Sequence, residues 1–337
     1  MDFPGALKAV LEGRPLSRAE ARAAMGALLK GRATDAQAGA FLAALRVRGE
    51  TVPELVGFAE AMRAGARRVS VRRRPLLDTC GTGGDGCGTF NISTAVAFVA
   101  AGAGAIVAKH GNRAVSSRAG SADALEALGV RADLSPARAA RCVERLGAGF
   151  LFAPVHHPGV GRLGPVRRQL GARTVFNLLG PLANPAGAHR QLLGVYATAL
   201  VRPVAEALKA LGAERALVVS SRDGLDEVSL SAPTVVARLS GGRVRVETVR
   251  PEDAGLRRRP LSALKGGDAR RNAAIIRAVL SGRPGAAREV VLLNASAALQ
   301  AAGLARGWRD GVLLAAASVD SGRARGVLSA LARETHA

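Results

Sequence analysis

The stretch Asp78–Thr94 reads DTCGTGGDGCGTFNIST. Gly81, Gly83 and Gly86 have G-x-G-x-x-G spacing, after an apolar run (Leu76–Thr79) and before the helix-like TAVAFVAAGAG. That is the context of a dinucleotide fingerprint. A dinucleotide-binding unit also needs an acidic residue about 20 positions on, for the ribose hydroxyls. Here the next apolar run, Ala105–Ala108, ends instead in Lys109-His110-Gly111-Asn112-Arg113. That ending is cationic and amide-rich, suited to phosphate. The loop lacks the closing Gly-Lys-Ser/Thr of a Walker motif. The remaining functional reading is a loop whose amides wrap a phosphate, with small residues permitting close approach. Thr89, Asn91, Ser93 and Thr94 supply donors near a helix N-terminus, itself an anion site. An ordinary glycine-rich turn is the plain alternative for the loop alone. A second phosphate-type loop, KHGNRAVSS, at the end of the next strand outweighs it. Open α/β sheets bind ligands at that edge.

Outward from this loop, the chain of 337 residues is 48% hydrophobic. That is enough for a large core and about two domains. Residues 1–70 read as a small all-helical domain. Ser17 with Glu20, Thr34 with Gln37 and Thr51 with Glu54 form three capping boxes, each opening a helix. A weaker helix lies around Ala6–Glu12. VSVRRRP (Val69–Pro75) reads as a crossover. From Leu76 short apolar runs alternate with helices, the pattern of a larger α/β domain over 71–337 with a central, mostly parallel sheet. Expected strands are Leu76–Thr79, Ala105–Ala108, Gly149–Phe152, Leu192–Val195, Ala216–Ser220 and Val235–Leu239. Gly241-Gly242 marks a hairpin turn after the last of these. Ser135-Pro136 opens a helix. From Asp268 onward the chain reads as Ala-rich helix.

Formal net charge is +22, from 48 Lys and Arg against 26 Asp and Glu. Only five of those cations are lysines, and the arginines are spread along the whole chain. Aromatic residues are 3%, too few for base-stacking platforms. The charge therefore reads as diffuse Arg usage rather than a nucleic-acid surface, and a positive field also favours a phosphate-rich small substrate. The longest apolar candidate, Ala95–Ala108, is too short and Gly-broken for a membrane span. MDFPGALKAV has no signal-peptide pattern. Cys80, Cys87 and Cys142 are odd in number and lack CxxC spacing, which fits a reducing cytoplasm without disulfide or zinc frameworks.

A ligand rich in phosphate travels with Mg²⁺, which wants carboxylates. SSRDGLDEVSL places Asp226-Glu227 just after the strand ALVVSS. A solvated acidic turn is the bland reading of this pair alone; beside the phosphate loops, a metal site is favoured. Asp223 stays open between the two. Asp85, inside the loop, orients it or holds a ribose. Lys109 is a retained lysine in an Arg-rich chain, which points to a need for a compact ammonium. Ser121 is a candidate N-cap before ADALEAL.

These motifs together resemble the anthranilate phosphoribosyltransferases of tryptophan biosynthesis. The match runs from the helical N-terminus to near the C-terminus, through GTGGDG…TFNIST, KHGNRAVSS…GSADALEALG, FLFAPVHHP, PVRRQLGARTVFNLLGPLANP and DGLDEVS. Departures are Cys80 and Cys87 flanking the glycine loop, and HHPGVGRLG where the family more often has HHPAM and a different spacer. The resemblance implies a nucleoside phosphorylase-type fold, with helices from about 160–185 joining the helical domain and the site in the cleft between domains. It implies a homodimer through the helical domain, and transfer of phosphoribose from phosphoribosyl pyrophosphate to the amine of anthranilate. The donor would contact Gly81, Gly84, Asp85, Thr89, Asn91, Ile92, Ser93, Thr94, Lys109, His110, Gly111, Asn112, Arg113, Ala114, Val115, Ser116, Ser117 and Ser121. Mg²⁺, as two ions, would be held by Ser93, Asp226 and Glu227. Anthranilate would meet Gly81, Asn112 and Arg167.

An arginine is the planar partner a flat carboxylate calls for; Arg168 is the rival to Arg167 at the next position. His110 and His157 line the pocket or serve as structural histidines. No Ser/His/Asp-type nucleophile pair is visible, and none is needed: an aromatic amine is already uncharged at neutral pH. The expected catalytic set is Lys109, Arg167, Asp226 and Glu227. The rivals are a pyrimidine nucleoside phosphorylase-like activity, opposed by TFNIST and KHGNR, and a non-catalytic nucleic-acid binder, opposed by the intact donor and metal motifs.

Overall fold

The computed structural model describes residues 2–114 and 118–337. The four N-terminal helices are α1 (Phe3–Leu11), α2 (Arg18–Leu29), α3 (Asp35–Arg48) and α4 (Val52–Ala64). The sequence signals for the last three are realised as hydrogen bonds. Ser17 N–H donates to Glu20 at 2.8 Å, Thr34 N–H to Gln37 at 3.0 Å and Thr51 N–H to Glu54 at 2.9 Å. Glu54 is fully buried, where it also accepts from Arg48 at 2.6 Å and from Leu16 N–H at 2.9 Å. The first helix starts earlier than Ala6, because Asp2 caps it through Gly5 N–H at 3.0 Å.

The rest of the chain builds one seven-stranded sheet. Its strands are β1 (Leu76–Asp78), β2 (Ile106–Gly111), β3 (Ala148–Phe152), β4 (Arg190–Gly194), β5 (Arg215–Ser221), β6 (Thr234–Ser240) and β7 (Arg243–Val249). Their order is β3-β2-β1-β4-β5-β6-β7. The first five are parallel; β6 and β7 form an antiparallel hairpin. From β1 the chain steps outward to β2 and β3, then returns to place β4 on the other side of β1. The junction of β1 and β4 is therefore a topological switch point, where open α/β sheets form a ligand crevice.

Both faces of the sheet are covered, so β5 reads as a continuous apolar run. Leu217 and Val219 join the larger core with helix α5 (Ile92–Gly102) and the helix Ala286–Ala302. Ala216 and Val218 face the other way, into a cluster shared with α1–α4, Leu163, Val166 and Val175–Leu182.

One strand boundary departs from expectation in a way that matters. β2 continues through Lys109, His110 and Gly111 instead of stopping at Ala108. Its polar end is tolerated because the buried Asp78 carboxylate accepts His110 N–H at 3.1 Å. Successive strand residues point to opposite faces, so Lys109 and His110 are sent to different sides of the sheet.

Candidate active site

The loop leaving β1 turns through four glycines in the left-handed region: Gly83 (φ +63°), Gly84 (+72°), Gly86 (+75°) and Gly88 (+65°). Side-chain-bearing residues would be strained there. The glycines thus serve a tight main-chain loop of the kind that presents N–H groups to an anion. Thr82 N–H donates to Gly194 O at 2.8 Å, and Gly83 N–H to the Asp226 carboxylate at 2.8 Å. A Cβ on Gly194, the last residue of β4, would lie 1.5 Å from Asp226 O; one on Gly81 would lie 3.2 Å from the Asp226 carboxylate. Three chain segments therefore meet at main-chain distance. Asp85 ties them from within: its carboxylate accepts Cys87 N–H at 3.0 Å and Asp226 N–H at 3.4 Å. Arg173 donates to Gly84 O at 2.6 Å while lying over the Tyr196 ring.

Asp226 and Glu227 follow β5. Asp223 serves this turn: it accepts from Ser229 Oγ at 2.6 Å, from Ser231 Oγ, and from Leu225 N–H at 3.4 Å. Asn294, buried in the helix Ala286–Ala302, brackets the next residue; Val228 N–H donates to it and Val228 O accepts from it, both at 2.8 Å. Glu227 lies beside the Ser93 main chain, in the first turn of α5. Burial pushes both acidic side chains well above the ordinary carboxylate range. The Asp85 charge adds to this at Asp226, and the Asp226 charge at Glu227. Carboxylates so crowded are a fit for a divalent cation. Among the described residues, no group of three or more His, Cys, Asp or Glu could hold a metal unaided. The donor set Ser93, Asp226 and Glu227 therefore suits an ion that arrives with a phosphorylated ligand, as Mg²⁺ does.

Lys109 is buried, with its ammonium 2.5 Å from Thr79 O and 3.2 Å from Ser93 Oγ. It lies beneath the loop, between the charges of Asp78 and Glu227. Asp78 is pushed up to about 6 by burial, with Lys109 opposing. Asn184 donates to Asp78 at 2.7 Å and to Ala108 O at 2.9 Å, which joins the ends of β1 and β2.

The second loop follows β2. Gly111 has no room for a Cβ, which would sit 2.3 Å from Ser121 Oγ. Ser121 donates to Asn112 O at 3.2 Å, and Ala114 N–H donates to Asp123 at 3.0 Å. Arg113 is engaged by Asp123 at 3.0 Å and Glu126 at 2.6 Å and lies over the Phe152 ring. Its guanidinium is thus occupied by carboxylates in this conformation. Val115, Ser116 and Ser117 lie outside the described residues. On the first loop, the Asn91 side chain is engaged by Ala119 O at 3.1 Å and by Asn272 at 2.8 Å. Ile92 is core, and the Thr94 hydroxyl is buried without a protein partner beside a cavity of about 20 Å³ that Lys109 also lines.

His110, on the opposite face from Lys109, pairs its Nδ1 with Gly180 O at 3.0 Å, and its ring lies 5.1 Å from that of His157. Burial, first of all, lowers His110 to about 3 and His157 to about 4, so both are neutral. Arg167 is half-buried over the Phe176 ring at 5.2 Å, and burial lowers its pKa. Arg168 is exposed. Of the two arginines, Arg167 has the partly desolvated setting in which a carboxylate would bind strongly.

Sequence reasoning missed several supports. Gly194, Arg173 and Asn294 carry no local motif, and each acts through contacts distant in the chain. It also missed the strap Leu264–Gly267. Phe90 N–H donates to Leu264 O at 3.1 Å, Gly266 N–H to Gly88 O at 3.0 Å, and Thr89 pairs with Lys265 as an antiparallel bridge. LKGG followed by Asn272 was the available signal.

Comparison with known proteins agrees with this fold. Residues 4–66 match the glycosyl transferase family helical bundle domain, and residues 73–325 the glycosyl transferase family a/b domain. The anthranilate phosphoribosyltransferase of Symbiobacterium thermophilum is 54% identical over 330 residues, covering 98% of this chain and 97% of the relative. The crystal structure of the Thermus thermophilus anthranilate phosphoribosyltransferase superposes with a TM-score of 0.94 at 47% identity, covering 100% of both chains. The Saccharomyces cerevisiae enzyme in complex with PRPP and Mg gives 0.90 at 28% identity, covering 99% of this chain and 98% of that one. The two phosphate-type loops, the acidic pair beside them and these full-length likenesses together place the chain in the anthranilate phosphoribosyltransferase family.

Proposed function

We propose that this protein transfers the 5-phosphoribosyl group from phosphoribosyl pyrophosphate to the amine of anthranilate, giving N-(5-phosphoribosyl)anthranilate and pyrophosphate. The observation that carries this reading is the seam at the β1/β4 switch point, where Gly83 N–H meets the Asp226 carboxylate at 2.8 Å. It puts a phosphate loop and a metal-type acidic pair in one crevice.

In this reading the amides of Gly81 and Gly84, the side chains of Thr89 and Ser93, and the loop Lys109–Ser117 with Ser121 hold the donor, while the Thr82 and Gly83 amides lock the loop to Gly194 and Asp226. Asn91 acts through its main chain at the start of α5, since its side chain is engaged; the Ile92 and Thr94 N–H groups, given to Phe90 O at 2.7 Å and Asn91 O at 3.2 Å, brace that turn beneath the donor. Asp85 orients the loop. Ser93, Asp226 and Glu227 would hold Mg²⁺, two ions in this reading, which when bound neutralises the diphosphate. Lys109 adds a fixed positive charge from below, and it needs no reorganisation as the leaving group departs. Arg167 and Asn112 orient anthranilate with its amine toward C1, and the chain supplies position rather than a nucleophile. Neutral His110 and His157 wall the pocket without competing with Arg167 for the carboxylate.

The division into a helical unit (1–70 with 160–185) and an α/β unit (71–337) belongs to the same proposal, with the substrates meeting in the cleft. So does a homodimer through the helical domain, supported by the exposed apolar Leu11 on α1 and Val47 on α3. A cytoplasmic location is in keeping with three free cysteines. No helix among the described residues is long and apolar enough to cross a membrane.

The test is loss of anthranilate fluorescence on mixing protein, anthranilate, phosphoribosyl pyrophosphate and Mg²⁺. Loss should require all four components and fall by about 100-fold or more when Asp226 and Glu227 are both replaced by Ala. Fluorescence that persists with folded protein and fresh donor would refute the reading.

A further inference from the structure

The strap Leu264–Gly267 comes from the far side of the β6–β7 hairpin, yet it is built tightly onto the donor loop. It exchanges main-chain hydrogen bonds with Gly88 and Phe90. Asn272, itself buried, receives Gly267 N–H at 2.8 Å and donates to Asn91 at 2.8 Å. Gly266 is required for this contact, because a Cβ there would lie 2.7 Å from Phe90 N and Cα. The one residue of the strap that reaches outward is Lys265. It is exposed, and among the described residues its ammonium has neither an ion pair nor a hydrogen bond. Residues paired across an antiparallel bridge put their side chains on the same face, with Cβ atoms about 4.5–5.5 Å apart. Lys265 is paired in this way with Thr89. Its side chain therefore leaves the backbone on the same face of the donor loop as that of Thr89, within reach of its rim. Like Lys109, it is one of only five lysines in an arginine-rich chain.

We infer that Lys265 is a further donor-binding residue, supplying a mobile ammonium to a phosphate group of the phosphoribosyl donor from the outer rim of the loop. The inference rests on the function proposed above. It gives the strap a purpose beyond bracing: Lys109 is a fixed charge under the loop, and Lys265 is a charge on a flexible stem above it. A strap that only braced the loop would have no use for a cation at the position facing Thr89.

The experiment is calorimetric binding of phosphoribosyl pyrophosphate with Mg²⁺ to the wild-type chain and to Lys265→Ala, Lys265→Arg and Arg270→Ala. Thermal melting of each variant verifies the fold. Lys265→Ala should bind the donor about tenfold more weakly, the scale of one charge-assisted contact at a partly exposed site. Lys265→Arg should restore most of the affinity. Arg270→Ala, which removes an exposed charge from the adjacent helix, should bind as the wild type does. Inorganic pyrophosphate with Mg²⁺ and ribose 5-phosphate serve as separate probes: the one whose affinity falls in Lys265→Ala is the phosphate Lys265 meets. Wild-type binding that is unaltered in Lys265→Ala overturns the assignment, as does an equal loss in Arg270→Ala, which would mark a diffuse field. A folded wild-type chain that binds none of the three probes overturns the functional reading itself, and Lys265 with it.

Discussion

The two sides of the crevice that the proposed reaction assigns to donor and acceptor are built on different principles. On the donor side, main chain meets main chain: Thr82 and Gly83 bond to Gly194 and Asp226, and the strap bonds to Gly88 and Phe90. The buried charge there has fixed partners: Lys109 is held by Thr79 O and Ser93 Oγ. On the acceptor side, single side chains stand on helices and strand ends. Arg167 lies on an aromatic ring, and His110 keeps a buried Nε2 without a protein partner. A diphosphate is bound by many weak donors in register, so its site is a backbone structure and tolerates little change. A flat aromatic acid is bound by a few side chains, and its site can be retuned one residue at a time.

The largest test of this contrast is Gly194→Ala. A methyl group 1.5 Å from Asp226 O must push the acidic loop away from the glycine loop. Overpacking of this kind costs about 1–3 kcal/mol or more. We expect a lower melting temperature and a fall of about 100-fold in kcat/KM for the donor, read in steady-state kinetics; a variant with wild-type donor kinetics would break the comparison. A smaller effect is expected from Arg167→Lys, which keeps the charge but loses the planar fork. KM for anthranilate should rise about tenfold with KM for the donor unchanged, whereas Arg168→Lys should leave both alone. A rise confined to Arg168→Lys would reverse the choice between them.

The smallest effect is on pH. His110 and His157 are lowered to about 3 and about 4 from an ordinary 6.5. Between pH 6.5 and these values the unfolded chain binds protons that the native histidines do not. Stability from this source is present above about pH 6.5 and is lost as pH falls. Replacing His157 by Gln should flatten the decline of melting temperature between about pH 7 and 5. A decline as steep as that of the wild type would show that other groups govern it.

The donor side was the more legible in sequence for the same physical reason. A backbone that must turn left-handed writes itself as glycine, as at Gly83, Gly84, Gly86 and Gly88. Capping boxes on α2, α3 and α4 are equally local, and so were read from four residues each. The end of β2 was misread, because Lys109 and His110 look like loop residues until Asp78 is seen beside them. The ion pairs of Arg113 could not be read from KHGNR, because Asp123 and Glu126, which engage it in this conformation, lie about one helix further along.

By itself, the sequence determined the layering of helical bundle and α/β sheet, the left-handed turns of the glycine loop and the place of the acidic pair Asp226-Glu227 just after a strand. These depend on local backbone conformation and on short-range periodicity. Only the tertiary structure decided that Gly194 is the floor on which the two loops meet, that Asn294 holds the acidic turn, that Lys109 is buried against Thr79 O and Ser93 Oγ, and that Lys265 pairs with Thr89. Those facts are set by which strand ends lie side by side. Strand order is a property of the whole packed chain, with no residue of its own to announce it.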